Sequence, residues 1–321
     1  LDDGDKKLKN ICTTMVDSLL AKEKESGLRD DPNISLTGFS IKSFMACARF
    51  MNYEPALELA KRLVQKVFIE APIFTPGDTF LQGAHMHSTL RTLVGAADYA
   101  LYVHDEKLFD RVDALYRYAR SQSTSFGFVP EVNHRKGDII SCETCTIMDY
   151  VGLAITLANH GHPEYWRDAE RAVRNHLIES QLSDGSWLIS DSTKEDTEQF
   201  TWREIGERMI GGFAGWSSPM QFLAAKETLN AHWGGPELKN KPRVFQNCCG
   251  GSGVHAFFAA WKNASHFQDG TLSVNLHIDK LLPQAEIRCY QPYKGLLVLK
   301  LKESCNVKVR IPDFVKTEDV N

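Results

Sequence analysis

The sequence has no run of lysine and arginine long enough to follow a phosphate backbone, and its formal net charge is only −4 at neutral pH. Nucleic acid is excluded as a partner on that ground. No apolar stretch approaches the ~20 residues that a bilayer-spanning helix needs. The longest, Tyr150 to Ala158, is about half that length and lies inside a helical pattern, so no membrane association is expected. Nothing at the start reads as a signal peptide, but the chain opens at Leu1 rather than Met, which predicts a processed, trimmed or excerpted chain. The expectation is a soluble protein, secreted or periplasmic if a signal peptide has been removed. Compartment and oligomeric state leave no mark in the sequence.

A disulfide framework is also lacking. The chain has 321 residues and eight cysteines, and at that length a core needs no cross-links. Hydrophobic residues make up 43% and charged residues 24%, the ordinary balance of one large globular domain or two smaller ones. Four of the cysteines are instead paired closely, Cys142 with Cys145 and Cys248 with Cys249. Such pairing fits metal binding or thiol chemistry better than scattered core packing.

Up to about residue 265 the apolar spacing is helical. The periodicity predicts helices over Asn10–Ala21, Ile41–Met51, Ala56–Phe68, Leu90–Tyr102, Leu108–Tyr118, Met148–Ala158, Trp166–Ile178, Pro219–Leu229 and Gly253–Asn263. Three joints repeat one design: a helix ends, a few turn residues follow, and a second helix starts on an acidic residue. Glu54, Glu106 and Glu164 mark these joints at separations of 52 and 58 residues. A hairpin repeated at that period predicts a solenoid or a closed α/α toroid. From about Gly270, the segments LSVNLHI, AEIRCYQPY, GLLVLKL and NVKVRIP alternate apolar and polar residues, as antiparallel strands do. The expected division is 1–265 for the toroid and 266–321 for the opening strands of a β-sandwich.

Several motifs are candidates for chemistry. In SCETC, Glu143 and Cys145 sit two apart ahead of a helix; in NCCGGSG, Cys248 and Cys249 are adjacent, and the glycines let the backbone bend closely. One carboxylate and three sulfurs form a plausible tetrahedral Zn²⁺ set, while buried thiols without metal remain the plain alternative. Four protein ligands leave no open position, so a catalytic role requires a thiolate that itself attacks. Glu131, in GFVPEVNH, has the chemistry of a general acid and base, though a solvated loop glutamate explains it as well. His85 and His87, in GAHMHSTLR, are candidate contacts for sugar hydroxyls, and capping or packing would account for each equally. QLSDGSW, Gln181 to Trp187, is similar to a motif that triterpene cyclases repeat; here it occurs once and reads as a structural turn.

ETC at Glu143 to Cys145, NCC at Asn247 to Cys249, VNLHIDKLLPQAEIRCYQPYKG and then VKVRIPDF together resemble the β-L-arabinofuranosidase superfamily, glycoside hydrolase family 127 and its relatives. Order and spacing agree along roughly residues 40 to 315. The resemblance implies an (α/α)6 toroid followed by a β-sandwich, with Zn²⁺ held by Glu143, Cys145, Cys248 and Cys249. It implies a retaining mechanism with Cys248 as nucleophile, Glu131 as acid/base and a carbohydrate substrate. Gly-Gly-Ser-Gly follows the cysteine pair where those enzymes have prolines, which sets this chain on another branch and leaves its sugar open. With about nine helices predicted where the toroid has twelve, the chain is expected to lack N-terminal helices and most of the sandwich. Two other functions compete. One is a non-catalytic toroid whose zinc site, of one glutamate and three cysteines, is purely structural. The other is a sugar epimerase using His85 and His87, a chemistry that does not call for paired cysteines.

Overall fold

The computed structural model describes residues 5–26, 38–133, 142–184, 193–198, 203–208, 210–213, 216–217, 247–316, 318 and 320. The helix expected over 219–229 and the end of the QLSDGSW motif, residues 185–187, lie outside the described residues. Two compact units are present: residues 1–125 with 129–149, and residues 126–128 with 150–321.

The first unit is built from helical hairpins. Helix α1 is Lys6–Ser26, α2 Ile41–Met51, α3 Glu54–Gln65, α4 Met86–Val103 and α5 Glu106–Gln122. α2 packs on α3, α4 on α5, and α2 on α4, while α1 lies against α3 and α2. Ile41, Met45, Leu59, Leu90, Leu93 and Leu115 are all buried at the seams. α2 and α4 approach so closely at Gly95 that a Cβ there would sit 2.7 Å from the Lys42 backbone nitrogen, so only glycine fits. Lys42 also pairs with Asp98 across this crossing.

The recurring joint has a definite geometry. α2 ends on Asn52 at φ 50°, and α4 ends on His104 at φ 59°. A left-handed residue lets the chain reverse while the last carbonyls of the helix are satisfied. The next helix then starts on Glu54 or Glu106, whose carboxylate suits the positive helix N-terminus. Asp105 caps α5 by accepting a hydrogen bond from the Leu108 amide at 3.0 Å. α3 runs on into a π-helical turn, Lys66–Glu70, which carries the chain into the loop leading to α4.

α6 is Thr144–Asn159, and the second unit takes it up from Tyr150. The chain then reverses at Gly161, φ 109°, passes Glu164 in the turn Pro163–Tyr165, and enters α7, Trp166–Arg171. α7 continues through a second π-helical turn, Ala172–Leu177, to Ile178–Ser180. α8 is Asn247–Asn263.

Six strands follow: β1 Ser265–Gln268, β2 Thr271–Val274, β3 Lys280–Leu281, β4 Ala285–Cys289, β5 Leu297–Leu301 and β6 Asn306–Val309. They form two three-stranded sheets, ordered β1-β2-β6 and β3-β4-β5. All pairings are antiparallel except β2 with β6, which is parallel. Leu272, Val274, Ala285 and Ile287 form their shared core. The sheets are tied to α7 by Arg310, which pairs with Glu170, itself bound to Arg174 at 3.0 Å.

His176, on α7, is 1% exposed and stacks on Phe128 with ring centroids 4.6 Å apart. Burial lowers its pKa from 6.5 to about 3, because no water solvates the charged ring. Below pH 6.5 the unfolded chain therefore binds a proton that the native chain refuses, down to about pH 3. Stability is expected to fall as pH drops through that window, by about 1.4 kcal/mol per unit from this group alone. Urea midpoints of the wild type and His176→Phe, measured from about pH 4 to 7, check this: the variant's curve should be flatter, and parallel curves would rule the effect out.

Candidate metal centre

Glu143 immediately precedes α6, and Cys145 lies in the first turn of that helix. Glu143 is 6% exposed, and its Oε2 lies 2.8 Å from Nε2 of His85. His85 immediately precedes α4, and its Nδ1 lies 2.8 Å from the Ser88 hydroxyl. Nε2–H donates to the carboxylate, and a neutral ring then accepts from the Ser88 hydroxyl at Nδ1.

The segment carrying Glu131 is pinned beside His85. Val132 pairs with His85 in an antiparallel bridge, and the Met86 amide donates to the Glu131 carbonyl at 2.8 Å. Asn133, fully buried, donates to the carbonyls of Phe80 and Leu81 and accepts from the Tyr118 hydroxyl. Glu131 itself is 8% exposed, so it is not the solvated loop glutamate that was the plainer expectation. Glu198, Glu204 and Glu207, in the acidic stretch EQFTWREIGE, are all exposed.

His87 is buried, with Nδ1 2.7 Å from Asp149 Oδ2, and Arg91 reaches the other oxygen of Asp149 at 3.4 Å. Asp149 and Asn133 were missed in reading the sequence. Asp149 did leave a signal: it is the one charged residue in TCTIMDYVGLAITLAN, one helical turn beyond Cys145. Asn133 left none, because its value comes from loop carbonyls some 50 residues away in sequence.

Cys248 and Cys249 occupy the first turn of α8. The glycines after them do not bend a loop around a metal, as expected from the sequence, because they continue the helix. Among the described residues nothing lies within 4 Å of a Cβ on Gly250 or Gly251, whereas a Cβ on Gly253 would sit 2.2 Å from the Phe213 ring. Gly253 therefore serves close packing of Phe213 on α8. Cys249 is buried and Cys248 exposed, and their sulfurs lie 3.9 Å apart.

One ligand atom from each of Glu143, Cys145, Cys248 and Cys249 lies within 4.8 Å of the others. This group could hold a metal ion, and the donor set fits zinc. Two thiolates ~2.3 Å from one tetrahedral Zn²⁺ stand about 3.8 Å apart, and the Cys248–Cys249 spacing matches that edge. None of the eight cysteines is in a disulfide.

No family model matches the sequence, and no curated protein matches it. Solved structures do match the fold. A glycoside hydrolase family 127 β-arabinofuranosidase aligns at TM-score 0.57 and 16% identity, over 86% of this chain and 42% of that one. A family 127 β-L-arabinofuranosidase from Geobacillus stearothermophilus aligns at TM-score 0.54 and 13% identity, over 86% and 47%. A third structure, a glycoside hydrolase, aligns at TM-score 0.55 and 12% identity, over 86% and 49%. The chain thus spans less than half the length of each. The similarity shows the fold class that the resemblance implied: mainly α, of the α/α-toroid type, followed by sandwich-type strands. Among the described residues, no helix is long and apolar enough to cross a membrane.

If Glu143 is a ligand, the His85 hydrogen bond orients its carboxylate and should matter to affinity. His85→Ala is expected to weaken Zn²⁺ binding by about 10–100-fold, measured by competition with a chromophoric chelator. Unchanged affinity would remove Glu143 from the ligand set.

Proposed function

We propose that the chain is the catalytic part of a retaining glycoside hydrolase of the β-L-arabinofuranosidase type, acting on a furanoside or related plant or microbial glycan sugar. In this reading the toroid spans 1–265 and the sandwich begins over 266–321. Glu143, Cys145, Cys248 and Cys249 hold Zn²⁺, Cys248 is the nucleophile and Glu131 the acid/base. The observation that carries the reading is the cysteine pair: two sulfurs at metal-ligand spacing, one buried and one exposed.

Zinc, when bound, would keep the thiols deprotonated at neutral pH. The start of α8 works in the same direction, since a helix N-terminus favours negative charge on Cys248. Glu131, protonated, gives its proton to the leaving oxygen while Cys248 Sγ attacks the anomeric carbon and forms a thioether. Glu131, now a carboxylate, takes a proton from water; the water oxygen displaces Sγ, and two inversions give net retention. Of the two histidines expected to meet sugar hydroxyls, His85 has both ring nitrogens engaged by Glu143 and Ser88 and serves instead to orient the Glu143 carboxylate, while His87 is assigned to a hydroxyl. His87, with Nδ1 committed to Asp149, keeps Nε2 for that purpose.

A purely structural zinc site is the second reading, favoured by the count of four protein ligands. The exposure of Cys248 argues against it, because a closed structural site has no use for an accessible sulfur.

Cys248→Ser is expected to cut hydrolysis of an activated arabinofuranoside by at least about a thousandfold, since a serine hydroxyl is protonated at neutral pH. The melting temperature should move only slightly, because helix packing carries most of the stability. The assay belongs on the whole natural protein, with a wild-type digest searched for a glycosyl adduct on the Cys248 peptide. A near-normal rate in the serine variant would overturn the nucleophile and leave the structural reading.

A further inference from the structure

A cavity of about 380 Å³ lies wholly within the second unit, in the size range of small-molecule sites. Val173 and Arg174 of α7 and Phe257 and Trp261 of α8 form one part of its lining. His277 and Gln291, from the segments following β2 and β4, form another. It is separate from the glutamate–cysteine group: Trp261 stands twelve residues beyond Cys249 on the same helix, about 18 Å along its axis.

Three features of the lining define what would fit. First, His277 is 7% exposed, and its Nε2 lies 3.0 Å from the Arg310 carbonyl oxygen. A carbonyl only accepts, so Nε2 carries the proton and Nδ1 is left as an acceptor. That Nδ1 is buried and has no hydrogen-bond partner, which is the kind of buried polar atom that calls for an explanation. Burial also lowers the pKa of His277, which keeps the ring neutral and Nδ1 an acceptor.

Second, Trp261 is held as a platform. Lys280 Nζ sits 5.1 Å from its ring centroid and is itself fixed by the carbonyls of Lys262 and Ser265 at 2.8 and 2.9 Å. The indole is still 42% exposed. Third, the charges in the wall are matched within it. Glu170 is bound by Arg174 and Arg310, and Asp279 by Arg288 and the Cys289 amide. Each charged residue of the lining, Glu170, Arg174 and Asp279, thus has a partner of opposite charge, while Lys280, against the indole, is held by carbonyls alone. The fitting ligand is a neutral ring with one apolar face and a hydrogen-bond donor at its edge.

We propose that this cavity is a second sugar-binding site, taking the ring of a neutral mono- or disaccharide with its C–H face on Trp261 and a hydroxyl donating to His277 Nδ1. The choice of a sugar over other flat, donor-bearing rings rests on the glycosidase reading above. A second hold of this kind would keep a glycan near the enzyme between turnovers without taking part in bond cleavage.

The test is calorimetric titration of the full chain with L-arabinose, D-galactose and their methyl glycosides, and with adenosine as a flat ring that is not a simple sugar. The expected result is saturable binding of at least one sugar, kept in Cys248→Ser and weakened at least about tenfold in Trp261→Ala and in His277→Phe. Trp261→Phe should keep most of the affinity, and it guards against a folding defect in the alanine variant. The proposal is overturned if no sugar binds, or if Trp261→Ala binds as the wild type does. It is also overturned if adenosine alone binds in a Trp261-dependent way. Loss of binding in Cys248→Ser would place the sugar at the metal centre instead. Hydrolysis by wild type and Cys248→Ser is read separately, so failure of the glycosidase reading is distinguishable from failure of this one.

Discussion

Crowding of ionisable groups is the constraint on which the proposed metal group depends. A carboxylate and three thiols have ligand atoms within 4.8 Å of one another. Two like unit charges at 4 Å repel by about 4 kcal/mol at an effective dielectric of 20, so four ionised groups cannot share that volume unaided. Either protons stay on the sulfurs or a cation enters, and in the proposed reading the cation is zinc. Cys145 and the Cys248–Cys249 pair each lie in the first turn of a helix, where backbone N–H groups point outward and negative charge is welcome. Glu143 is held by His85 and Ser88 in one hydrogen-bonded relay. The same helices bury apolar faces elsewhere, so fold and centre stand on shared elements.

The hairpin joints show how a short local code sets such elements. Asn52, His104 and Gly161 all adopt positive φ, and Glu54, Glu106 and Glu164 follow within a few residues. Asparagine and histidine are among the side chains that tolerate the left-handed region, and glycine has no penalty there. One stop signal and one start signal, repeated, give antiparallel neighbours without a long loop.

Much of this could be read from residue order. Ile41–Met51 falls where its periodicity puts it, and most other described helices lie within about five residues of expectation; α8 starts six residues earlier than expected, and the short helix Ile205–Arg208 was not expected. The four ligand candidates could be picked out because adjacent cysteines and a Glu-x-Cys are rare patterns that suit metal binding or thiol chemistry better than core packing. What escaped notice depends on distant partners. His85 reads as a capping residue in sequence, and only the fold brings Glu143, 58 residues on, to its ring. The glycines after Cys249 suggest a bend, but tertiary packing overrides that preference and keeps them helical. The parallel pairing of β2 with β6 was equally hidden, since a period-2 pattern carries no direction. His277 sits in a run of alternating residues, and nothing there tells that one of its nitrogens ends without a partner.

The two π-helical turns, Lys66–Glu70 and Ala172–Leu177, fall in the second helices of two different hairpins. A π turn is how a helix accommodates one surplus residue without breaking, by widening a single loop of its spiral. The first turn ends its helix, but past the second the helix is rotated by about 100° from where an uninterrupted one would be. After the second turn the rotation sets the direction of Ile178, which borders the cavity beside Trp261. A single-residue deletion there would leave a regular helix but swing that wall away, so the cavity owes its shape to an irregularity rather than to the repeat.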